Sequence, residues 1–194
     1  MSSGEIFMAI SQLLFFIGVG GFIWLLLRGK LNETFGGFGG YDVKNIPTFL
    51  RDAEDLALRD RVQFRNWALS LVKAKPEPSD VADRGIDGRI YFRDDPEGKQ
   101  TKKIIVQVKS GEVNPGVITD LKGVLEREKA HIGVLITLQE PTKEMREEAV
   151  SSGFYKSPFG KQYPKIQIFT IEELFNGKEI QRPPEGMAAV DKTF

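Results

Sequence analysis

The chain contains no cysteine and only one histidine, His131. The lack of cysteine excludes disulfides, thiolate metal sites and a cysteine nucleophile. A single imidazole cannot supply a histidine-rich zinc site or the paired histidines of an H-E-x-x-H metalloprotease. No G-x-S-x-G elbow accompanies His131, so we interpret it as a structural residue at the start of a strand rather than as a member of a catalytic triad. The side chains that remain available for catalysis or metal binding are carboxylates, amides and ammonium groups.

The chain also lacks an excess of charge of either sign, since Lys+Arg and Asp+Glu both number 27. Nucleic-acid-binding domains are often strongly basic, and this balance gives no such sign. Any surface that faces DNA must therefore come from uneven placement of charge. The length of 194 residues and the 41% hydrophobic content fit one compact domain with an appendage.

A run of 22 residues without a charge, Ile6 to Leu27, lies near the N-terminus. At about 1.5 Å per residue, a helix of this length covers about 33 Å and can cross a hydrocarbon core of about 30 Å. Glu5 precedes the run, while Arg28 and Lys30 follow it, so the positive-inside rule places the following domain in the cytoplasm. We predict a single-pass anchor over residues 1–30 in the inner (cytoplasmic) membrane. A buried hydrophobic hairpin is the alternative.

The segment FGGFGG, residues 35–40, has four glycines and no apolar periodicity, which is typical of a flexible joint. We therefore predict a Gly-rich linker over residues 31–45. The folded domain is expected over residues 46–184, and a C-terminal tail over residues 185–194.

Apolar periodicity in the domain alternates between helical and strand patterns. Two amphipathic helices are expected first, with Asp60 as the cap of the second. Further helices are expected after Asn114-Pro115, after Thr142 and from the capping box Thr170 to Glu173. The predicted strands are Gly88 to Phe92, Lys103 to Val108, Ile132 to Leu138 and Lys165 to Phe169. Alternating strands and helices predict a layered α/β domain.

Three polar residues stand where two of these strands begin or end. Asp87 lies in the glycine-flanked turn RGIDG before a strand, and Gln107 and Lys109 lie two apart in IIVQVKSG. Positions i and i+2 of a strand point to the same face. If the two strands are neighbours, Asp87 lies opposite Gln107 and Lys109, and the three groups converge.

Such a set can bind a divalent cation. Mg²⁺ takes about six oxygen ligands and keeps several waters, so Asp87, the Gln107 amide and the Val108 carbonyl can suffice beside a substrate phosphate. We predict Mg²⁺, or Mn²⁺, as the cofactor, with Lys109 holding the attacking water or offsetting charge in the transition state. The alternative is structural, because aspartate is common in turns and lysine is common at solvated strand ends.

The D…Q-x-K arrangement resembles the Mrr-type branch of the PD-(D/E)XK nuclease superfamily, in which glutamine replaces the usual acidic residue. The strings ADRGIDGRIYF, KKIIVQVKSG and YPKIQIFTIEELFNGK are similar to the endonuclease-like domain found at the C-terminus of some bacterial site-specific DNA methyltransferases. The likeness covers about Ile46 to Pro184. It implies a three-layer α/β/α restriction-endonuclease-like core, Mg²⁺-dependent cleavage of double-stranded DNA at Asp87, Gln107 and Lys109, and a role in restriction or phage defence.

Two departures from the family pattern keep several functions open. Many such nucleases carry a glutamate on the first helix, where this chain has Gln63-Phe64-Arg65, and no D/N-P-P-Y methyltransferase motif is present. The first hypothesis is a membrane-tethered deoxyribonuclease. The second is a catalytically weak module that binds DNA or recruits a partner. The third is a nuclease subunit acting beside a separate methyltransferase or sensor. A homodimer is a further expectation, since cleavage of both strands commonly needs two sites.

Basic residues near the catalytic strand and on the following helix are candidates for phosphate contacts, which supply much of the non-specific affinity for DNA. The alternative is a solvated, charge-rich surface. The candidates are Lys99, Lys102, Lys103, Lys122, Arg127 and Lys129.

Overall fold

The computed structural model describes residues 46–78, 84–95 and 99–184. The chain divides into two compact units, Met1–Ile46 and Pro47–Phe194, and the description below concerns the second. The predicted anchor (1–30), linker (31–45) and tail (185–194) lie outside the described residues. Within the described ranges, no helix is both long and apolar enough to cross a membrane.

A five-stranded sheet forms the centre of the domain, in the order β1-β2-β3-β4-β7. The pairs β1–β2 and β2–β3 are antiparallel, whereas β3–β4 and β4–β7 are parallel. β4 is buried along its whole length, as its continuous apolar sequence predicts. The strands are β1 (Lys75–Pro76), β2 (Gly88–Phe92), β3 (Lys102–Lys109), β4 (Ile132–Thr137) and β7 (Ile166–Thr170).

Within the described ranges, five helices surround this sheet, and a two-stranded sheet of β5 and β6 lies beside them. Each predicted cap is present: Asp60, Asn114, Thr142 and Thr170 accept hydrogen bonds from backbone N–H groups of the first turns. The elements are α1 (Leu50–Arg59), α2 (Arg61–Leu71), α3 (Pro115–Glu128), α4 (Lys143–Ser151), β5 (Phe154–Lys156), β6 (Gln162–Pro164) and α5 (Ile171–Phe175).

Helices cover both faces of the large sheet. On one face, α3 and α4 share an apolar core with Ile105, Leu135 and Ile168. On the other, the Leu69 side chain of α2 packs so closely on Gly88 that a Cβ there would lie 2.7 Å from it. Trp67 of α2 also contacts Phe175 of α5, with ring centroids 5.8 Å apart. The predicted α/β fold class is confirmed.

The predicted strand limits agree with the structure within one residue, but three strands were missed. β1 contains Pro76 and lies at the edge of the sheet, where a residue without an N–H group is tolerated. β5 and β6 have three residues each, too few for an alternating pattern to be visible.

A buried hydrogen-bonded cluster closes the β2–β3 hairpin at the end away from Asp87. The fully buried Asp94 accepts hydrogen bonds from Lys102 Nζ at 2.7 Å and from Tyr155 Oη at 2.6 Å. Burial raises the pKa of Asp94, but the hydrogen bonds from Lys102, Tyr155 and Ser157 outweigh it and hold that pKa below 3.8. The His131 ring packs edge-on against Phe92 and Tyr155, which supports our structural interpretation of this histidine.

We expect Asp94→Asn to lower the free energy of unfolding by about 3 kcal/mol near neutral pH, because it leaves the Lys102 ammonium without its buried counter-ion. A carboxyl with a lowered pKa stabilises the fold above its unfolded pKa and stops doing so as the pH falls through its folded pKa. The difference between the two proteins should therefore shrink below pH 3.8.

Urea denaturation of the full chain in detergent, followed by tryptophan fluorescence, measures this difference. Asp120→Asn is the matched control, because Asp120 is exposed on α3. Equal stability of the Asp94→Asn and Asp120→Asn proteins at neutral pH would contradict the prediction.

Candidate active site

The turn before β2 is held by three neighbouring segments. The Asp87 N–H donates to the Val106 carbonyl at 3.1 Å, and the Asp87 carbonyl accepts from the Glu77 N–H at 2.9 Å. Arg127 of α3 donates through Nη2 to the Arg84 carbonyl at 2.8 Å. The start of β2 is thereby fixed against β3, the segment after β1 and the crossover helix.

Gly85 brings the backbone of this turn against the side chain of Gln107. Its φ of +79° lies in the left-handed region, and a Cβ at this position would lie 2.8 Å from Gln107 Nε2. The Gly85 carbonyl accepts a hydrogen bond from that same nitrogen at 2.5 Å. Glycine is therefore required here for two reasons: the left-handed backbone conformation and the close approach of the Gln107 side chain.

The structure brings Asp87, Gln107 and Lys109 to one end of the β2–β3 pair. Gly88 pairs with Val106, so the residue before β2, Asp87, comes opposite Gln107. Asp87 Oδ2 accepts a hydrogen bond from the Val108 N–H at 2.8 Å. Lys109 is near enough for its charge to lower the pKa of Asp87. The placement that we predicted is present, while the roles of the three residues remain predictions.

The three side chains differ in their exposure. Gln107 is buried and Asp87 is largely buried, with 14% of its side chain exposed, whereas Lys109 is exposed. Burial, the largest influence, raises the pKa of Asp87; the Val108 N–H, Arg65 and Lys109 lower it, and the net result lies above 3.8. A further cation near Asp87 would favour the charged carboxylate.

Gln107 Oε1 is buried and has no hydrogen-bond partner among the described residues. The orientation of the amide follows from its neighbour, because the Gly85 carbonyl requires a donor and therefore faces Nε2. A buried acceptor without a partner costs about 1–3 kcal/mol, and such atoms in native proteins usually contact a water or an ion.

The oxygen atoms around Gln107 fit a hydrated hard cation. The Val108 N–H donates to Asp87 Oδ2 and not to Oδ1. The Val108 carbonyl points to the same side of β3 as the Val108 N–H, and therefore toward Asp87. Asp87 Oδ1, the Val108 carbonyl oxygen and Gln107 Oε1 are ligands of the type that Mg²⁺ prefers. Within the part of the chain that the structure describes, no group of three or more Asp, Glu, His or Cys residues could hold a metal, so the site depends on one carboxylate.

Arg65 is the residue of the site that our sequence analysis missed. Its Nη1 lies 3.9 Å from Asp87 Oδ1, and 17% of its side chain is exposed. It projects from α2 (Arg61–Leu71). The segment Gln63-Phe64-Arg65 was a signal that this helix contributes to the site, but the sequence did not show that Arg65 would face Asp87.

Several of the basic residues that we named as candidates for phosphate contacts pair with carboxylates. Lys102 is bound by Asp94 and Tyr155, and it lies about 23 Å along β3 from Lys109 at about 3.3 Å per residue. Only 11% of its side chain is exposed, so Lys102 is less accessible to a phosphate than the other candidates. Lys103 lies 3.7 Å from Glu128, and Lys122 pairs with Glu148.

We expect Gly85→Ala to destabilise the protein more than Gly153→Ala. Both glycines have a positive φ, and a Cβ costs about 1–2 kcal/mol in that conformation. A Cβ at Gly153 meets nothing within 4 Å, whereas a Cβ at Gly85 collides with Gln107 and approaches Val124. Thermal denaturation measures the loss of stability in each variant, and the additional loss in Gly85→Ala over Gly153→Ala reports the contact with Gln107. Equal losses would show that the amide has room to move.

Comparison with known proteins identifies the domain. Residues 61–176 match the model of the family described as "NACHT-associated inactive Restriction Endonuclease 1". No curated protein matches the chain. A solved structure, "MspJI Restriction Endonuclease in Complex with 27-mer Oligonucleotide", is 17% identical with a TM-score of 0.38. The match covers 76% of this chain, which spans 30% of the length of that one.

The family match supports the resemblance to restriction endonucleases at the level of the domain. It covers all five strands of the large sheet, together with Asp87, Gln107 and Lys109. Because the matched residues are more than half of the chain, the protein belongs to the NACHT-associated inactive restriction endonuclease 1 family.

Proposed function

We propose that the domain is a metal-dependent DNA nuclease of the Mrr type. Asp87, Gln107 and the Val108 carbonyl would hold Mg²⁺ or Mn²⁺, and Lys109 would assist the attacking water. The observation that carries this proposal is the buried Gln107 Oε1, which has no donor among the described residues and lies in the same site as the carboxylate of Asp87. A glutamine that served packing alone would be expected to have both amide atoms hydrogen-bonded.

The residues of the site have separate tasks in this proposal. A bound divalent cation would supply a more acidic water and would offset charge on the attacked phosphate. The Val108 N–H holds Asp87 Oδ2, which leaves Oδ1 to face a ligand. The Gly85 carbonyl fixes the Gln107 amide, so that its oxygen need not reorganise. Lys109 is exposed and can donate to a water or to a phosphate oxygen.

A second candidate is a module that keeps the fold without cleaving DNA. The family description contains the word "inactive", and the one carboxylate of the site faces a guanidinium. Such a module would bind double-stranded DNA or recruit a partner. The family description names NACHT, so a NACHT-containing protein is one partner class. A separate methyltransferase or sensor, or a second copy of the chain, is another.

For the whole chain, we propose a role in restriction or phage defence at the cytoplasmic face of the inner membrane. The support is the uncharged run Ile6 to Leu27, followed by Arg28 and Lys30. We expect the full chain in the membrane fraction of expressing cells, and a chain that begins at Tyr41 in the supernatant. Recovery of both chains in the supernatant would overturn the anchor.

We expect the full chain in detergent to cut plasmid DNA with Mg²⁺ or Mn²⁺ and not with a chelator. Asp87→Ala removes the one carboxylate, and Lys109→Ala removes the ammonium; each should lower the cleavage rate at least about 100-fold. Lys143→Ala is the control, because Lys143 is exposed on α4 and should leave the rate unchanged.

The same preparation distinguishes the two candidates. DNA binding by fluorescence anisotropy, without cutting in any divalent metal, would support the non-cleaving module. Cutting that survives Asp87→Ala would indicate a contaminating nuclease and would remove support for this site.

A further inference from the structure

Arg65 approaches the candidate metal site from a fixed helix. Leu69, one helical turn further along α2, packs against Gly88 at the start of β2. Residues four apart lie on the same helix face, so this packing directs Arg65 toward the turn that carries Asp87. The approach of the guanidinium is therefore set by the core and not by a mobile surface.

The ion pair between Arg65 and Asp87 is long. The distance of 3.9 Å between Nη1 and Oδ1 is longer than a hydrogen bond and far from the bidentate geometry that a guanidinium and a carboxylate can adopt. Arg65 Nε is buried and has no hydrogen-bond partner among the described residues. The guanidinium thus keeps donors for another acceptor, although it stands beside a carboxylate.

The site also carries more positive than negative charge. Both Arg65 and Lys109 are near enough to lower the pKa of Asp87, so two cations surround one carboxylate. A divalent cation at Asp87 Oδ1 would meet strong repulsion from a guanidinium at the same oxygen. The metal and Arg65 cannot both remain there, whereas a phosphate oxygen is a favourable acceptor for a released guanidinium.

We propose that Arg65 is an exchangeable counter-ion. In the metal-free protein it neutralises Asp87; when a divalent cation takes that carboxylate, Arg65 turns to a phosphate oxygen of bound DNA. Metal binding and DNA binding then strengthen one another, because each favours the same displaced position of Arg65. This inference rests on the proposed function of the site and adds a residue that positions the substrate.

The test uses the full chain in detergent, with Lys109→Met present in every variant to suppress cleavage. Mn²⁺ affinity is measured by electron paramagnetic resonance of the free ion, without DNA. We expect Arg65→Ala to bind Mn²⁺ about fivefold more tightly than the Arg65 chain, because the competing cation is gone. A residue that merely supports the structure would weaken Mn²⁺ binding when removed.

The second measurement is the affinity for a short fluorescein-labelled duplex, with and without Mn²⁺. Mn²⁺ should strengthen DNA binding about tenfold in the protein that retains Arg65 and about twofold or less in the Arg65→Ala protein. Arg61→Ala, an exposed position on the same helix, should behave as the Arg65 chain. Arg65→Gln keeps a polar side chain without the charge and repeats the test if Arg65→Ala does not fold.

The outcomes separate this inference from the function on which it rests. If no variant binds Mn²⁺, the metal site itself is absent, and both proposals are overturned. If Mn²⁺ binds but its affinity is unchanged or weakened in the Arg65→Ala and Arg65→Gln chains, the exchange alone is overturned and the nuclease proposal stands. An equal effect of Mn²⁺ on DNA affinity in the Arg65 and Arg65→Ala chains also overturns the exchange.

Discussion

The site depends on the antiparallel pairing of β2 with β3. The pairing of Gly88 with Val106 brings Asp87 opposite Gln107, and the Asp87 N–H extends the ladder by one more hydrogen bond to Val106. Because side chains alternate along a strand, a shift of one residue would move Gln107 and Lys109 to the other face. The register is therefore the physical condition under which three residues distant in sequence form one site.

Elements and residues whose placement depends on local interactions could be predicted from the sequence. The caps at Asp60, Asn114, Thr142 and Thr170 bind backbone groups two or three residues away, so their signals lie within a few letters. The strand that carries Gln107 and Lys109 has a dense β-branched sequence. Its alternation, with the turn at Asp87, was enough to predict that these residues would lie together.

Features that depend on distant contacts could not be predicted. β1 has only two residues and is a strand because it pairs with Gly88 and Arg89. Lys102 and Lys103 are adjacent in the sequence, yet only Lys102 is bound by the buried Asp94 and by Tyr155, 53 residues away. Arg65 reaches Asp87 because α2 packs on β2, which is a tertiary contact with no pattern of its own.

The Asp94 cluster has a mechanical consequence for β3. It binds Lys102, the first residue of β3, whereas the candidate site uses the last three residues, Gln107, Val108 and Lys109, so the strand is held at the end remote from that site. A chain held in this way resists sliding along its neighbours when charges near its free end are gained or lost. Rearrangements around a bound ion would then be confined to side-chain rotations, which are fast and reversible, and the sheet itself would act as a rigid reference frame.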